Sequence, residues 1–175
     1  SSDVCSSDLN LKQMLDAFLA HRREVVTRRT VFELRKARER AHIQEGLAVA
    51  LSNVDEIIEL IKRSQTPPEA KAALVARAWR SSVVEEMLSR AGADASRPEG
   101  VDATLGLHAD GYRLSEPQAQ AILEMRLQRL TGLEQDKIVG EYKDLLAKIA
   151  DYLDILARPE RITQIRSEEH TSELQ

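Results

Sequence analysis

From Leu11 to Arg63 the chain runs 53 residues without a proline and with a single glycine, Gly46. A run of that length, rich in Leu, Ala, Glu, Lys, Arg and Gln, leaves little open but helix. Apolar residues recur three and four apart within it, at Leu11, Leu15 and Phe18 and again at Leu47, Leu51, Val54, Ile58 and Ile61. The spacing predicts one unbroken helix, about 80 Å long at ~1.5 Å per residue. Leu47 to Ile61 alternates four and three, the seam of a coiled coil. Between Arg22 and Arg40 charge interrupts the stripe, so the partner surface there is narrower.

Ser64-Gln-Thr-Pro-Pro-Glu then breaks the helix and starts another, with Thr66 as cap and Pro67 in the first turn. Two short helices are expected near Glu69 to Ala78 and Val83 to Ala91, the second closed by Gly92 at a left-handed cap. Asp94 to Gly111 holds turn formers without a sustained period, which reads as a loop with a short extended piece. Ser115-Glu-Pro-Gln fits a capping box, Ser115 with Gln118, opening a helix that runs to Leu130 and closes at Gly132. From Glu134, the residues Ile138, Tyr142, Leu145, Ile149, Tyr152 and Leu156 again alternate four and three until Arg158-Pro159. That marks a second coiled-coil strand.

Two heptad strands separated by compact helical material fold back most simply as an antiparallel pair. The expected fold class is therefore all-α: a long antiparallel coiled-coil arm capped by a small helical knob. The outgoing helix takes residues 10–63, the knob 64–133 and the returning helix 134–165. About 50 residues go out and about 30 return, so Leu11 to Arg35 is expected to lie unpaired. A returning strand that continues in an intact protein explains the imbalance.

Both ends read as foreign to this pattern. The codons AGA TCG GAA GAG CAC ACG TCT GAA CTC CAG would encode Arg166 to Gln175, RSEEHTSELQ, and that nucleotide string resembles a sequencing adapter. Cys5 to Leu9, CSSDL, would be encoded by TGC TCT TCC GAT CTN, which resembles the opposite adapter end, and Ser1 to Asp3 repeats part of it. Residues 1–9 and 166–175 are accordingly expected to be adapter-derived; source DNA whose natural coding sequence continued through Arg166 would overturn this.

The net charge of -4 gives no general case for nucleic-acid binding, so any such surface must be local. No apolar run approaches the roughly 18 to 20 residues needed to cross a bilayer, and the cytoplasm is the default location. His21, His42, His108 and His170 share no spacing with Cys or carboxylates that fits a metal, and GxxxxGK[ST] is missing. Trp79, between Arg77 and Arg80 at one remove, reads as a core anchor.

Three strings carry a resemblance: HRREVVTRRTVFELRKARERAHI from His21, GLAVALSNVDEIIELI from Gly46, and LSEPQAQAILEMRLQRLTGLEQDKI from Leu114. Together they are similar to the A subunits of DNA gyrase, within the type IIA topoisomerases, over essentially all of Asn10 to Ile165. The resemblance implies an arm with a dimeric tip that forms the exit gate for transported DNA. For a whole enzyme of that family it further implies ATP-dependent negative supercoiling, a partnering B subunit, double-stranded DNA as substrate, and Mg2+ and ATP used outside this segment. The family cleaves DNA through a tyrosine preceded by arginine in a winged-helix domain. Tyr112 follows Gly, Tyr142 follows Glu and Tyr152 follows Asp. No catalytic, cofactor-binding or metal residue is therefore assigned. Alternatives left open are a free-standing coiled-coil interaction module and the A subunit of topoisomerase IV.

Two surfaces are candidates. His21 to His42 carries eight Lys or Arg against three Glu, a net of +5, and Arg22, Arg23, Arg28 and Arg29 are expected to lie near DNA. The alternative is a solvated face built on pairs such as Glu24 with Arg28. Gln118, Ala121, Ile122 and Met125 follow helical spacing and are expected either at a twofold interface or inside the knob.

Overall fold

The structure is a computed structural model that describes residues 2–162, with side chains from Asn10 onward. The stretch 166–175, read above as adapter-derived, lies outside the described residues, and of 1–9 only helical backbone from Ser2 is described. The elements are α1 (Ser2–Ser52), α2 (Val54–Arg63), α3 (Pro67–Ala76), β1 (Ala78–Trp79), α4 (Ser82–Ala91), β2 (Gly106–His108), β3 (Gly111–Arg113), α5 (Glu116–Glu124) and α6 (Gly132–Ala157). Among the described residues no helix is long and apolar enough to cross a membrane. The chain divides into two compact units, one ending at Leu34 and resuming at Asp151, the other Arg35–Ala150.

In the first unit α1 buries Thr30 and Leu34, and α6 buries Ile155. The Thr30 hydroxyl donates to the Val26 carbonyl at 2.8 Å, which satisfies a polar group within its own helix. Leu11, Leu15 and Phe18 stand 59%, 54% and 49% exposed, so the apolar stripe at this end of α1 faces water. Past the end of α6, Arg161 pairs with Asp151 at 2.9 Å and Asp154 at 2.7 Å.

In the second unit the first helix is not continuous to Arg63. It breaks at Asn53, whose φ of -134° and ψ of 36° leave the helical region. The Asn53 amide donates to the Val49 carbonyl at 2.9 Å and the Arg80 carbonyl at 2.8 Å, replacing backbone bonds that the break forfeits. Ser52 meets Ser81 hydroxyl to hydroxyl at 2.8 Å beside it. The buried face also differs from the expected seam, before the break as well as beyond it. Leu47, Leu51, Val54, Ile58 and Ile61, the expected seam, are only half-buried, whereas Ala41, Glu45, Ala48, Val49 and Ile57 are interior. Small alanines allow close approach of neighbouring backbone, which pure apolar spacing does not weigh.

Thr66 caps α3 by accepting from the Glu69 amide at 3.4 Å, and the Glu69 carboxylate accepts from the Gln65 amide at 3.1 Å. The helix ends at Ala76 rather than Ala78 because Arg77 turns extended into β1. The region expected as loop contributes a small antiparallel sheet, order β1-β3-β2, with Trp79 opposite Tyr112 and Leu107 opposite Tyr112 on the other side. Gly111 is required there: its φ is +134°, and a Cβ would lie 2.7 Å from the Trp79 carbonyl oxygen. Trp79 is buried and donates from its indole to the Leu74 carbonyl at 3.0 Å, the anchor role expected of it.

The capping box at Ser115 and Gln118 forms as expected. The helix it opens stops at Glu124, because Met125 is extended and Leu127–Arg129 is a separate 3-10 turn. Gly132 opens α6 instead of closing α5. Thr131 caps that start, accepting from the Glu134 amide at 3.2 Å while the Glu134 carboxylate accepts from the Thr131 amide at 3.2 Å. Thr-Gly-Leu-Glu is thus a second capping box, unforeseen from the sequence. Tyr142, Leu145 and Ile149 are buried along α6 as its spacing predicts, joined by Leu146.

Candidate functional site: a buried polar hub and the groove beside it

One carboxylate organises the interior of the second unit. Glu45, 3% exposed on α1, accepts at Oε1 from the Ser96 hydroxyl at 2.7 Å and the Tyr142 hydroxyl at 2.6 Å. Its Oε2 accepts from the Tyr112 hydroxyl. The Gln118 amide donates to the Tyr112 oxygen at 2.8 Å and to the His42 carbonyl at 2.6 Å, while its Oε1 accepts from the Ser115 amide at 2.9 Å. These partners fix the orientation of the Gln118 amide group. His42 Nε2 lies 2.6 Å from the Ser115 hydroxyl, and its Nδ1 faces the Gln118 nitrogen at 3.3 Å. The hub thereby joins α1, the loop after α4, β3, α5 and α6.

Gly46 makes room for it. A Cβ at that position would meet Cβ and Cγ of Gln118 at 2.7 and 2.8 Å, so the one glycine in the long helical run lets the α5 glutamine reach the hub.

The electrostatics follow from burial. Removal from water pushes the Glu45 carboxyl above the usual carboxylate range, against the pull of Tyr112, Tyr142, Ser96 and the charge of Arg97. Burial first, and the Glu45 carboxylate second, push both the Tyr112 and Tyr142 phenols upward. A nucleophilic tyrosine needs the opposite shift. Burial, with Arg97 adding to it, pulls His42 down to about 4. The Ser115–His42 contact has the separation of a nucleophile and its base, but both groups are interior and the Ser115 oxygen is engaged in capping α5. This arrangement holds structure in place; it presents no reacting atom to a substrate.

The expected interface residues separate. Gln118 and Ile122 are fully buried, the first in the hub and the second in the core, so the surface reading of these two is corrected to the interior one. Ala121 and Met125 are half-buried. Met125 lines a groove of about 360 Å³ with Ile58, Ile61, Leu123 and Leu127, rimmed by Lys62 and Arg126. The half-exposed ridge of Ile58 and Ile61, read in the sequence as a coiled-coil seam, is one wall of this groove.

The basic run is also divided. Arg22, Arg23, Arg28 and Arg29 are exposed on α1. Arg28 pairs with Glu24 at 2.5 Å and the Arg22 guanidinium stacks 4.8 Å from the Phe18 ring centre. Further along, Arg35 pairs with Glu99 at 3.7 Å, Arg38 donates to the Ala95 carbonyl at 3.1 Å and Arg40 lies 4.0 Å from Glu141. Those three serve the fold of the second unit.

Comparison with known proteins gives a consistent result. The family model for the A subunits of DNA gyrase and topoisomerase IV matches residues 3–171. The DNA gyrase A subunit of Pseudomonas aeruginosa is 61% identical over 161 residues, covering 92% of this chain and 17% of the relative. That of Neisseria gonorrhoeae is 61% identical over 163 residues, 92% and 18%. That of Escherichia coli is 60% identical over 134 residues, 77% and 15%. The chain spans less than a fifth of the length of these relatives.

Proposed function

The chain belongs to the family formed by the A subunits of DNA gyrase and topoisomerase IV, and from that premise we propose that it is the arm and exit-gate section of a gyrase A subunit. In the whole enzyme, with the gyrase B subunit, ATP and Mg2+, that section lets one duplex leave while cut ends stay held, in the service of negative supercoiling. Gyrase is favoured over topoisomerase IV because the relatives compared above are gyrase A subunits. The observation that carries the gate reading is the groove where half-buried Ile58, Ile61, Leu123 and Met125 stand beside Lys62, Arg126, Gln128 and Arg129, a mixed apolar and polar surface on the second unit. A twofold partner would bury it isologously, with Met125 inside the contact.

Sedimentation equilibrium of the chain tests this. A dimer is expected, and Met125→Glu should weaken it by about 30-fold or more, as loss of a central apolar anchor worth ~2 kcal/mol does. A monomer at every concentration, or a dimer indifferent to Met125→Glu and Ile61→Glu alike, would sink the gate reading.

We also infer that Arg22, Arg23, Arg28 and Arg29 lie along the path of DNA, where phosphate contacts hold a duplex without reading its sequence. The probe is a P. aeruginosa gyrase A subunit in which this segment replaces the native one, assembled with the gyrase B subunit. Arg28→Glu with Arg29→Glu should slow its supercoiling roughly fivefold and flatten its salt dependence. Unchanged supercoiling would leave this face a solvated, structural one, with pairs such as Arg28 and Glu24.

A further inference from the structure

The contact between Glu45 and Tyr142 sits where α6 meets the rest of the second unit. Tyr142 is fully buried, and its hydroxyl reaches the same Glu45 oxygen as Ser96, while Tyr112 holds the other. Leu145, Leu146 and Ile149 follow it into the interior, whereas Thr131–Glu134 ahead of it is exposed, Leu133 at 83%. The nearby Arg40–Glu141 pair, at 4.0 Å and largely in water, adds little.

Apolar contacts alone tolerate a helix that slides or rolls, since one methyl group replaces another at small cost. A hydroxyl donating to a buried carboxylate does not. Displacing α6 by a turn would carry the Tyr142 oxygen about 5.4 Å along the axis and leave both groups without partners in the interior.

We propose that Glu45 and Tyr142 are positioning residues that latch α6 to α1 and, through Ser96 and Tyr112 on the same carboxylate, to the knob in one register, so that Tyr142–Ile149 and the knob travel as one body when the gate opens. The proposal rests on the gate reading for its consequence but not for the latch itself. Through Ser96, Tyr112 and Gln118 the same carboxylate is tied to the loop after α4, to β3 and to α5, so force applied along α6 reaches these three at a single point.

The experiment uses the chimaeric gyrase described above. Tyr142→Phe keeps the ring and removes the donor. Hydrogen exchange of α6 amides between Ile138 and Ile149 should quicken roughly tenfold while α3 and α4 keep wild-type rates. Supercoiling should fall several-fold with DNA cleavage unchanged. Ile149→Val, which loosens packing on the same helix without touching the hub, should leave supercoiling at wild-type level. Exchange that is unchanged, or that rises equally in α3 and α4, overturns the latch. Local loosening of α6 with full supercoiling, or equal loss in Ile149→Val, overturns its part in gate movement. The gate reading itself stands or falls separately on Met125→Glu.

Discussion

Alanine at position 45 is expected to destabilise the fold by about 5 kcal/mol, because the buried hydroxyls of Ser96, Tyr112 and Tyr142 lose their acceptor at ~1–3 kcal/mol each. A cavity of about 10 Å³ already adjoins the carboxylate and would enlarge, so entering water offsets part of this. Total stability of a domain this size is about 5–15 kcal/mol, and the variant should be largely unfolded by moderate heating. Glu45→Gln behaves differently. Its oxygen keeps Tyr142 and Ser96, while its nitrogen faces a Tyr112 oxygen that already accepts from Gln118. The Tyr112 proton then lacks an acceptor, for a loss of about 1–2 kcal/mol.

A control separates the hub from mere packing. Replacing the carboxylate and the three hydroxyls that donate to it by apolar groups of similar shape, Glu45→Leu with Ser96→Ala, Tyr112→Phe and Tyr142→Phe, should recover most of the stability that Glu45→Ala loses, because among these groups only the Gln118 amide is left with a donor unpaired. Denaturant midpoints of the variants measure this. A loss below about 2 kcal/mol for Glu45→Ala would mean that the carboxylate does not satisfy those hydroxyls in solution.

Where local chemistry dominates, the fold was legible in the sequence. Thr66, Ser115 and Gly92 mark helix ends because caps depend on a few adjacent residues, and the four-three spacing in α6 picks out Tyr142, Leu145 and Ile149. The break at Asn53 was not legible. Its side-chain bond to Arg80 comes from 27 positions away, and no proline or glycine announces it. Losing the break misassigned the seam, since Ile57 rather than Ile58 faces inward beyond it. The helix from Ser115 was drawn too long because Met125 and Arg126 have ordinary helical propensity, and only the capping box at Thr131 shows that the chain restarts.

The hub was hidden for the same reason on a larger scale. Tyr142 and Glu45 are 97 positions apart, and Gln118 and His42 are 76 apart. Two signals were nonetheless present. Glu45 is a lone acid in a stretch of Ala, Leu and Val, and Gly46 is a helix-weakening residue in a run that otherwise avoids them. A glycine inside a strong helix asks what comes close to it, and here the answer is Gln118. The resemblance placed dimer contacts in the knob but did not tell inward from outward on α5. Burial decides that, and it sends Gln118 and Ile122 inside.

Acid should destabilise the chain through His42, by about 2–3 kcal/mol between neutral pH and pH 4. The folded state holds the imidazole neutral down to about 4 because burial and the Arg97 charge oppose protonation, while the unfolded chain takes up the proton near 6.5. The unfolded state therefore binds more protons in that window, and stability rises with pH through it. It is fully present above 6.5 and is lost as pH falls toward 4. A proton added at Nδ1 would also face the Gln118 nitrogen, a donor against a donor. Glu45 acts in the other direction. Its folded carboxyl titrates above the unfolded one, so the folded state binds the extra proton and stability declines as pH rises through that range. In the wild type the two dependences oppose one another where they overlap. Glu45→Gln removes the opposing one, so its stability should fall more steeply on acidification than the wild type's. His42→Gln should flatten the decline, since a neutral amide replaces the titrating ring. Urea unfolding at pH 7, 5.5 and 4 compares the three, and equal slopes for wild type and His42→Gln would show that His42 is not held neutral by the fold.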